Sequence, residues 1–175
     1  DIIDTAAMLQ VRDAFDVIRG DLLAAGAACA ELCERHRRTP IAGRTLLQQA
    51  VPTTFGTKAA QWLAGITRQL DRLRQLRDSA IVLQFGGASG TLASLGPHGL
   101  AVSEHLADGL GLGLPDLPWH TERSRVAEIA AAAGITGGVA AKIATDVVLL
   151  AQSEVGEVHE AGGADKGRSS TMPHK

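Results

Sequence analysis

Apolar residues recur at intervals of three and four over two long stretches of the chain, and each stretch predicts a helix. The first stripe consists of Met8, Val11, Phe15, Ile18, Leu22, Ala25, Cys29 and Leu32. It predicts a helix of about seven turns that starts near the capping residues Asp4 and Thr5 and ends before Pro40. The second stripe follows Pro52 and consists of Phe55, Ala59, Trp62, Ile66, Leu70 and Leu73. Its opposite face is rich in arginine and is expected to be solvated.

The remainder of the chain also shows helical rather than strand patterns. A short helix is expected over residues 98–110, another over 121–133, and a last long one over 136–159. The segments 39–54 and 84–96 contain too much proline or glycine for a continuous helix and are predicted to be loops. Since no segment alternates well between apolar and polar residues, we predict an all-α fold, with residues 1–175 forming part of a central helical domain.

The continuous apolar stripes present more surface than one slim helical hairpin can bury. Alanine-rich faces also allow helices to approach closely. We therefore expect these helices to pack against further helices, either from additional chain or from other subunits.

Composition narrows the class of protein without identifying a function. Apolar residues make up 45% and charged residues 21% of the chain, a balance typical of a globular domain and not of a disordered one. The net charge of −2, with interspersed signs, gives no basic face, so neither nucleic acid nor a membrane is an expected partner. The absence of a secretory segment and of a long uncharged apolar run predicts a soluble, cytoplasmic protein. Cys29 and Cys33 share a helical face and are expected to be core thiols, not a disulfide or a metal site.

Three loops combine glycine or proline with hydroxyl side chains, namely 43–54, 86–96 and 163–175. Backbone amides, hydroxyls and a cation are the groups that hold a carboxylate, and glycines let backbone N–H groups approach a ligand. In the last loop, a serine near Lys175 could be activated by such surroundings. On composition alone, a flexible linker with inert serines is the simpler interpretation.

The order of the residues in these loops resembles the fumarase/aspartase superfamily. "SSTMPHK", residues 169–175, is similar to the signature loop of that family, "AGRTLLQQAVPTTFG" to its second shared segment, and "DIIDTAAMLQVRDA" to the helix that follows the first. The resemblance covers almost the whole chain. It implies a homotetramer with a central bundle of long helices, active sites assembled from three subunits, and no metal or organic cofactor. It also implies a small polycarboxylate substrate, which reacts β to a carboxylate through an aci-carboxylate intermediate.

The resemblance also implies roles for individual residues. Ser169 matches the family's proton-transfer serine, Lys175 the lysine that binds a substrate carboxylate, and Thr45 a threonine that also binds a carboxylate. Such roles suit the chemistry, because charge that develops on a carboxylate needs donors fixed in advance and a proton-transfer group over the adjacent carbon. The further candidates for substrate binding are Ser170, Arg168, Ser89, Thr91 and His120.

Two of these candidates leave alternatives open. Arg168 stands where the family signature has glycine, so it either perturbs the loop or supplies a further cation for a substrate carboxylate. His120, in "PWHTERSR", either assists binding or proton transfer, or caps the following helix and packs on Trp119.

Leu46 occupies the position at which most of the superfamily has histidine, and leucine cannot transfer a proton. The resemblance therefore favours the cycloisomerase branch, in which the substrate's own carboxylate closes a lactone and no external leaving group needs an acid. The alternatives are a β-elimination lyase of the adenylosuccinate lyase type, which releases fumarate, and a non-catalytic helical scaffold. Since the resemblance starts after the family's first substrate-binding segment and stops within the signature, we expect a fragment that is inactive by itself.

Overall fold

The computed structural model of the chain describes residues 1–160 and 171–172. Its elements, in order, are α1 (Ile2–Arg35), β1 (Pro40–Thr45), β2 (Gln48–Thr54), α2 (Phe55–Ser79), a 3-10 helix (Ala93–His98), α3 (Gly99–Leu110) and α4 (Ser124–Leu150). The described part is mostly helical, which confirms the predicted helical class apart from one small hairpin. The chain divides into two compact units, Asp1–Ala140 and Ala141–Lys175.

The packing of α1 against α2 forms the main core of the first unit. The buried apolar side chains of α1 are Met8, Phe15, Leu22 and Cys29. Those of α2 are Phe55, Ala59, Trp62, Ile66 and Leu73. Burying one large apolar side chain stabilises a fold by roughly 1.5–3 kcal/mol. Both predicted helices and the centres of both predicted stripes are confirmed, but α1 begins at Ile2, so Asp4 and Thr5 lie within the helix and do not cap it.

The connection between α1 and α2 is an antiparallel β-hairpin, so the predictions of a loop over 39–54 and of a chain without strands are wrong. The register runs from the pair Pro40–Thr54 to the pair Thr45–Gln48. It is irregular around Gly43, where a Cβ atom would lie 2.6 Å from a carbonyl oxygen of β2. Because both strands are largely exposed or half-buried, they lack the apolar–polar alternation that marks a strand in a sequence.

The start of α2 is fixed by Thr54 and Gly56. The hydroxyl of Thr54 accepts a hydrogen bond from the backbone N–H of Thr57 at 3.1 Å, which is the geometry of an N-cap. A Cβ atom on Gly56 would lie 2.9 Å from both the carbonyl oxygen of His36 and the Cα atom of Arg37. Glycine at position 56 therefore allows the start of α2 to touch the end of α1.

The segment 81–84 is buried, and its backbone is bonded on two sides. The N–H of Leu83 donates to the carbonyl of Gly113 at 2.8 Å, and the N–H of Gly113 donates to the carbonyl of Ile81 at 3.2 Å. On the α1 side, the hydroxyl of Thr5 donates to the carbonyl of Gln84 at 2.8 Å and accepts from its N–H at 3.1 Å. One hydroxyl thus pairs both backbone groups of a buried residue, which would be costly to leave unpaired.

The helix α3 is predicted correctly, whereas α4 is one helix and not two. The predicted helices over 121–133 and 136–159 are replaced by a single helix, which contains Gly134 without interruption. An interior glycine costs about 1 kcal/mol relative to alanine, which does not break this helix. After Leu150 the chain turns, with Gly156 at a φ of +57° and the N–H of Glu157 donating to the carbonyl of Leu150 at 2.9 Å. The helix therefore ends earlier than predicted. Within the second unit, Lys142 and Asp146 form the ion pair that their spacing predicts.

By length and composition alone, α4 could cross a membrane. Only 11% of an apolar 18-residue stretch within this helix is buried. The helix still carries charges at Arg125, Glu128, Lys142 and Asp146, so its longest uncharged run is residues 129–141. One such helix is weak evidence for a membrane protein, because helices of soluble proteins can have the same composition.

The two cysteines of α1 are free thiols, as predicted. Cys29 is buried and Cys33 is half-buried. Burial raises the pKa of the Cys29 thiol, so this sulfur is a weaker nucleophile at neutral pH than an ordinary cysteine.

Candidate active site

The structure describes four of the eight predicted site residues. These four are Thr45, Ser89, Thr91 and His120. The other four, Arg168, Ser169, Ser170 and Lys175, lie outside the described residues, and their roles stay predictions. The described residues come from three segments, which are the hairpin, the glycine loop 84–96 and the segment before α4.

Thr45 is the last residue of β1 and pairs with Gln48, so the hairpin has a two-residue turn. The turn residues Leu46 and Leu47 have φ angles of 50° and 60°. Positive φ at both central positions is characteristic of a type I′ turn, which favours asparagine and glycine and strains bulky residues. Leu46 is 94% and Leu47 75% exposed, so packing within the described residues offsets little of this strain. The position at which the resemblance expects histidine thus presents a strained, exposed apolar side chain.

The glycine loop closes on itself between Gly86 and Leu92. The N–H of Leu92 donates to the carbonyl of Gly86 at 3.0 Å, and two glycines between them have φ angles of +70° and +78°. Within this turn the hydroxyl oxygens of Ser89 and Thr91 lie 3.1 Å apart. Both side chains are exposed. The two predicted hydroxyls are therefore brought together, and they could donate to a single anionic ligand.

The backbone amides of this loop hold a carboxylate of the chain itself. The N–H groups of Gly86 and Gly87 donate to the side chain of Asp1 at 3.0 and 2.8 Å. The side-chain amide of Gln84 donates to the same carboxylate at 3.3 Å. The predicted anion-binding chemistry of the loop is present. Its occupant is Asp1, which corrects the expectation that these amides face a ligand.

His120 precedes α4, and its side chain is 72% exposed. Its Nδ1 atom lies 3.4 Å from a carboxylate oxygen of Asp4, on the first turn of α1. The alternative that His120 caps α4 is wrong, because the carboxylate of Glu122 accepts from the N–H and the hydroxyl of Ser124 at 2.9 and 2.8 Å. These two hydrogen bonds lower the pKa of Glu122. His120 is therefore an exposed side chain whose ring faces the carboxylate of Asp4.

Asp4 and Arg123 form a two-point ion pair beside His120. The guanidinium of Arg123 donates to both carboxylate oxygens of Asp4, at 2.9 and 3.0 Å. It also lies 5.5 Å from the centre of the Trp119 ring, so Arg123 and not His120 packs on that side chain. Hydrogen bonding from Arg123 lowers the pKa of Asp4, and the same interaction raises the pKa of Arg123. Arg123 is thus engaged by the chain itself.

A cavity of about 430 Å³ lies beside these groups. Its lining residues are Asp1, Ile2, Ile3, Asp4, Gly87, Ala88 and His120. The cavity thus joins the first turn of α1, the glycine loop and His120. It brings His120 to the loop that carries Ser89 and Thr91. Within the described part of the chain, Thr45 makes no hydrogen bond to any of these three residues.

Sequence reasoning missed Asp1, Asp4 and Gln84. Gln84 is only 2% exposed and interrupts the apolar run "AIVLQF". That position was the available signal, because a buried amide has to find hydrogen-bond partners. The two aspartates gave no signal, since the groups they bind lie 85 and 119 residues away along the chain.

Known proteins resemble this chain along its whole length. The family described as Lyase matches residues 1–175. The chain is 50% identical to 3-carboxy-cis,cis-muconate cycloisomerase of Pseudomonas aeruginosa, covering 100% of this chain and 38% of that protein. It is 45% identical to nitrosuccinate lyase of Streptomyces davaonensis, with coverage of 100% and 38%. The crystal structure of 3-carboxy-cis,cis-muconate lactonizing enzyme from Pseudomonas putida matches with a TM-score of 0.89 at 47% identity, covering 99% of this chain and 39% of that one.

The chain therefore spans 38% of the length of each of these two curated relatives. The family match covers every described element, and the structural match covers nearly all of them. On both grounds, the chain belongs to the lyase family of the fumarase/aspartase superfamily.

Proposed function

We propose that the full-length protein containing this chain converts 3-carboxy-cis,cis-muconate to 4-carboxymuconolactone, a step of protocatechuate catabolism. The observation that carries this proposal is the 50% identity, over all 175 residues, to a protein named for that reaction. Leu46 supports it, because an exposed leucine at the hairpin tip cannot protonate a leaving group and this reaction has none.

In the proposed reaction, one carboxylate oxygen of the substrate forms a bond to a carbon of the double bond. The electron pair of that double bond moves onto the neighbouring carboxylate and gives an aci-carboxylate. A proton, ultimately from solvent, is then delivered to the carbon beside it. The charge that builds up on the carboxylate is the feature that fixed donors must stabilise.

The predicted residues divide these tasks between them. Ser169 delivers the proton, and Lys175 with Thr45 binds the substrate carboxylates. The hydroxyls of Ser89 and Thr91, 3.1 Å apart, suit a carboxylate that accepts from both. The other residues assigned to substrate binding are His120, Ser170 and Arg168.

The proposed assembly is a cytoplasmic homotetramer whose active sites each draw residues from three subunits. The family resemblance supports this arrangement. The apolar surface of α4 supports it as well, because such a helix is stabilised when other helices cover it.

The test is a substrate comparison with the full-length protein. It is incubated with 3-carboxy-cis,cis-muconate, adenylosuccinate or nitrosuccinate, and the products are identified by NMR. We expect lactone from the first substrate and no turnover of the other two. Fumarate released from adenylosuccinate would instead support a β-elimination lyase, and nitrite from nitrosuccinate a different lyase.

A pair of serine variants tests the assigned proton donor. Ser169→Ala is expected to lower kcat by about 10²- to 10⁴-fold, whereas the exposed Ser153→Ala leaves it unchanged. A folded wild-type protein without activity on any of the three substrates would support the non-catalytic scaffold. An active enzyme that tolerates Ser169→Ala would remove that residue from the mechanism.

A further inference from the structure

Gln84 connects three parts of the molecule that surround the cavity beside His120. Its side-chain N–H donates to Asp1 at 3.3 Å, and its side-chain oxygen accepts from the backbone N–H of Trp119 at 2.6 Å. Its own backbone N–H and carbonyl both bond to the hydroxyl of Thr5. All four polar groups of this buried residue are thus hydrogen-bonded, the two of the side chain to Asp1 and Trp119 and the two of the backbone to the single hydroxyl of Thr5.

The first arm of this network fixes the glycine loop. The carboxylate of Asp1 accepts hydrogen bonds from the side-chain amide of Gln84 and from the backbone N–H groups of Gly86 and Gly87. The carboxylate therefore holds the start of the loop in which the hydroxyls of Ser89 and Thr91 meet.

The second arm fixes the segment that ends in His120. Trp119 is 3% exposed, and it is held twice, by the Gln84 side chain through its backbone N–H and by the carbonyl of Leu83 through its indole N–H at 2.9 Å. The next residue is His120, whose ring lies 3.4 Å from Asp4 on the first turn of α1. The amide side chain of Gln84 joins Trp119, the neighbour of His120, to Asp1 at the start of α1, while the Gln84 backbone bonds to Thr5 on the first turn of that helix.

We propose that Gln84 is a positioning residue, which holds the glycine loop and the His120 segment at a fixed geometry around the cavity. It does not contact the substrate. Its effect on catalysis rests on the proposed function, since it acts through Ser89, Thr91 and His120. A displacement of about 1 Å in substrate-positioning groups can lower a rate by about 10²-fold, so the loss of this amide should be visible in kinetics.

Gln69 provides a matched control. It is also a buried glutamine, 3% exposed, but its side-chain oxygen accepts from Arg72 within α2 at 2.6 Å. Gln84→Met and Gln69→Met both remove a buried amide of equal size, and only the first removes a link between loops. Asp1→Asn, at a half-buried position, is a third variant that weakens the glycine-loop arm alone.

The first measurement is amide hydrogen exchange in the full-length protein, followed by mass spectrometry. Gln84→Met should speed exchange by at least about tenfold in both the 84–92 and the 115–122 peptides. Asp1→Asn should do so in the first peptide only, and Gln69→Met in neither. Unchanged exchange in Gln84→Met would overturn the proposal, and the half-buried Asp1→Asn keeps it falsifiable if Gln84→Met does not fold.

The second measurement is kcat/KM for lactone formation. We expect a fall of about 10- to 100-fold for Gln84→Met and less than twofold for Gln69→Met, with thermal unfolding showing whether both lose similar stability. Faster loop exchange with unchanged kcat/KM would show that the loops do not position the substrate and would overturn the inference. A wild-type protein without activity would refute the proposed function, while the exchange data would still decide whether Gln84 fixes the two loops.

Discussion

The two leucines at the tip of the β-hairpin provide a sharp test of backbone strain. Leu46 and Leu47 adopt φ angles of 50° and 60° with side chains 94% and 75% exposed. A left-handed conformation costs a residue with a Cβ atom about 1–2 kcal/mol. Replacing the pair by Asn-Gly removes most of this strain from both positions. The glycine loses about 0.5–1 kcal/mol through its more flexible unfolded state, and little apolar burial is lost. We expect the hairpin to gain about 1–2 kcal/mol, which multiplies its folded-to-open ratio by about 5–30.

The assay is amide exchange of the hydrogen-bonded strand residues in β1 and β2, which should slow by the same factor. Leu46→Ala with Leu47→Ala is the control, because alanine keeps the Cβ atom and the strain but removes the exposed apolar bulk. This control should leave exchange unchanged within about twofold. If the alanine pair slows exchange as much as Asn-Gly does, apolar exposure and not backbone conformation is the source of instability, and the strain argument fails.

Three further outcomes follow from the contacts of the first unit. Gly56→Ala should destabilise the chain by about 1–3 kcal/mol, because its Cβ atom would lie 2.9 Å from backbone atoms. Gly20→Ala, with nothing within 4 Å of its Cβ atom, should stabilise the chain by about 0.5–1 kcal/mol. Urea unfolding measures both changes. Trp119→Phe leaves the carbonyl of Leu83 unpaired and should cost about 1–3 kcal/mol in the same assay. Asp4→Asn should be less stable than wild type at pH 7, and the difference should disappear in acid. The folded-state pKa of Asp4 is lowered, so its contribution is complete above the ordinary value of about 3.9 and is lost as pH falls through the folded-state pKa.

The sequence predicted the long helices well because burial imposes a period on them. Every seventh residue of the first stripe is buried in the core, namely Met8, Phe15, Leu22 and Cys29. The sequence pattern therefore follows directly from the packing of α1. The hairpin was not predicted because neither of its faces is fully buried. Apolar and polar residues alternate along a strand only when one face is buried and the other is exposed, so these strands lack that pattern. For α4, the sequence predicted two helices where the structure has one, because an interior glycine such as Gly134 lowers helix propensity without breaking the hydrogen bonding.

The candidate site was predictable only where a local motif carried the chemistry. Ser89 and Thr91 were chosen as candidates because glycines beside hydroxyls mark an anion-binding loop; the structure brings the two hydroxyls together, and their role in binding stays a prediction. The occupant of the loop amides, Asp1, was not predictable, because nothing local records a partner 85 residues away. The interpretation of His120 as a helix cap was wrong because the N–H of Ser124, at the start of α4, donates to the carboxylate of Glu122 instead.

The Thr5 hydroxyl has a consequence for the handling of this protein. The run "AIVLQF" is uncharged and apolar, the kind of segment that assembles into intermolecular cross-β structure when its backbone is bared. Gly113 covers one side of it and Thr5 the other. If the first turn of α1 frays, the backbone N–H and carbonyl of Gln84 lose Thr5 and are free to pair with another chain, while most of the molecule stays native. We therefore expect the rate of precipitation on storage to correlate more closely with the fraying of that helical turn than with the melting temperature of the protein.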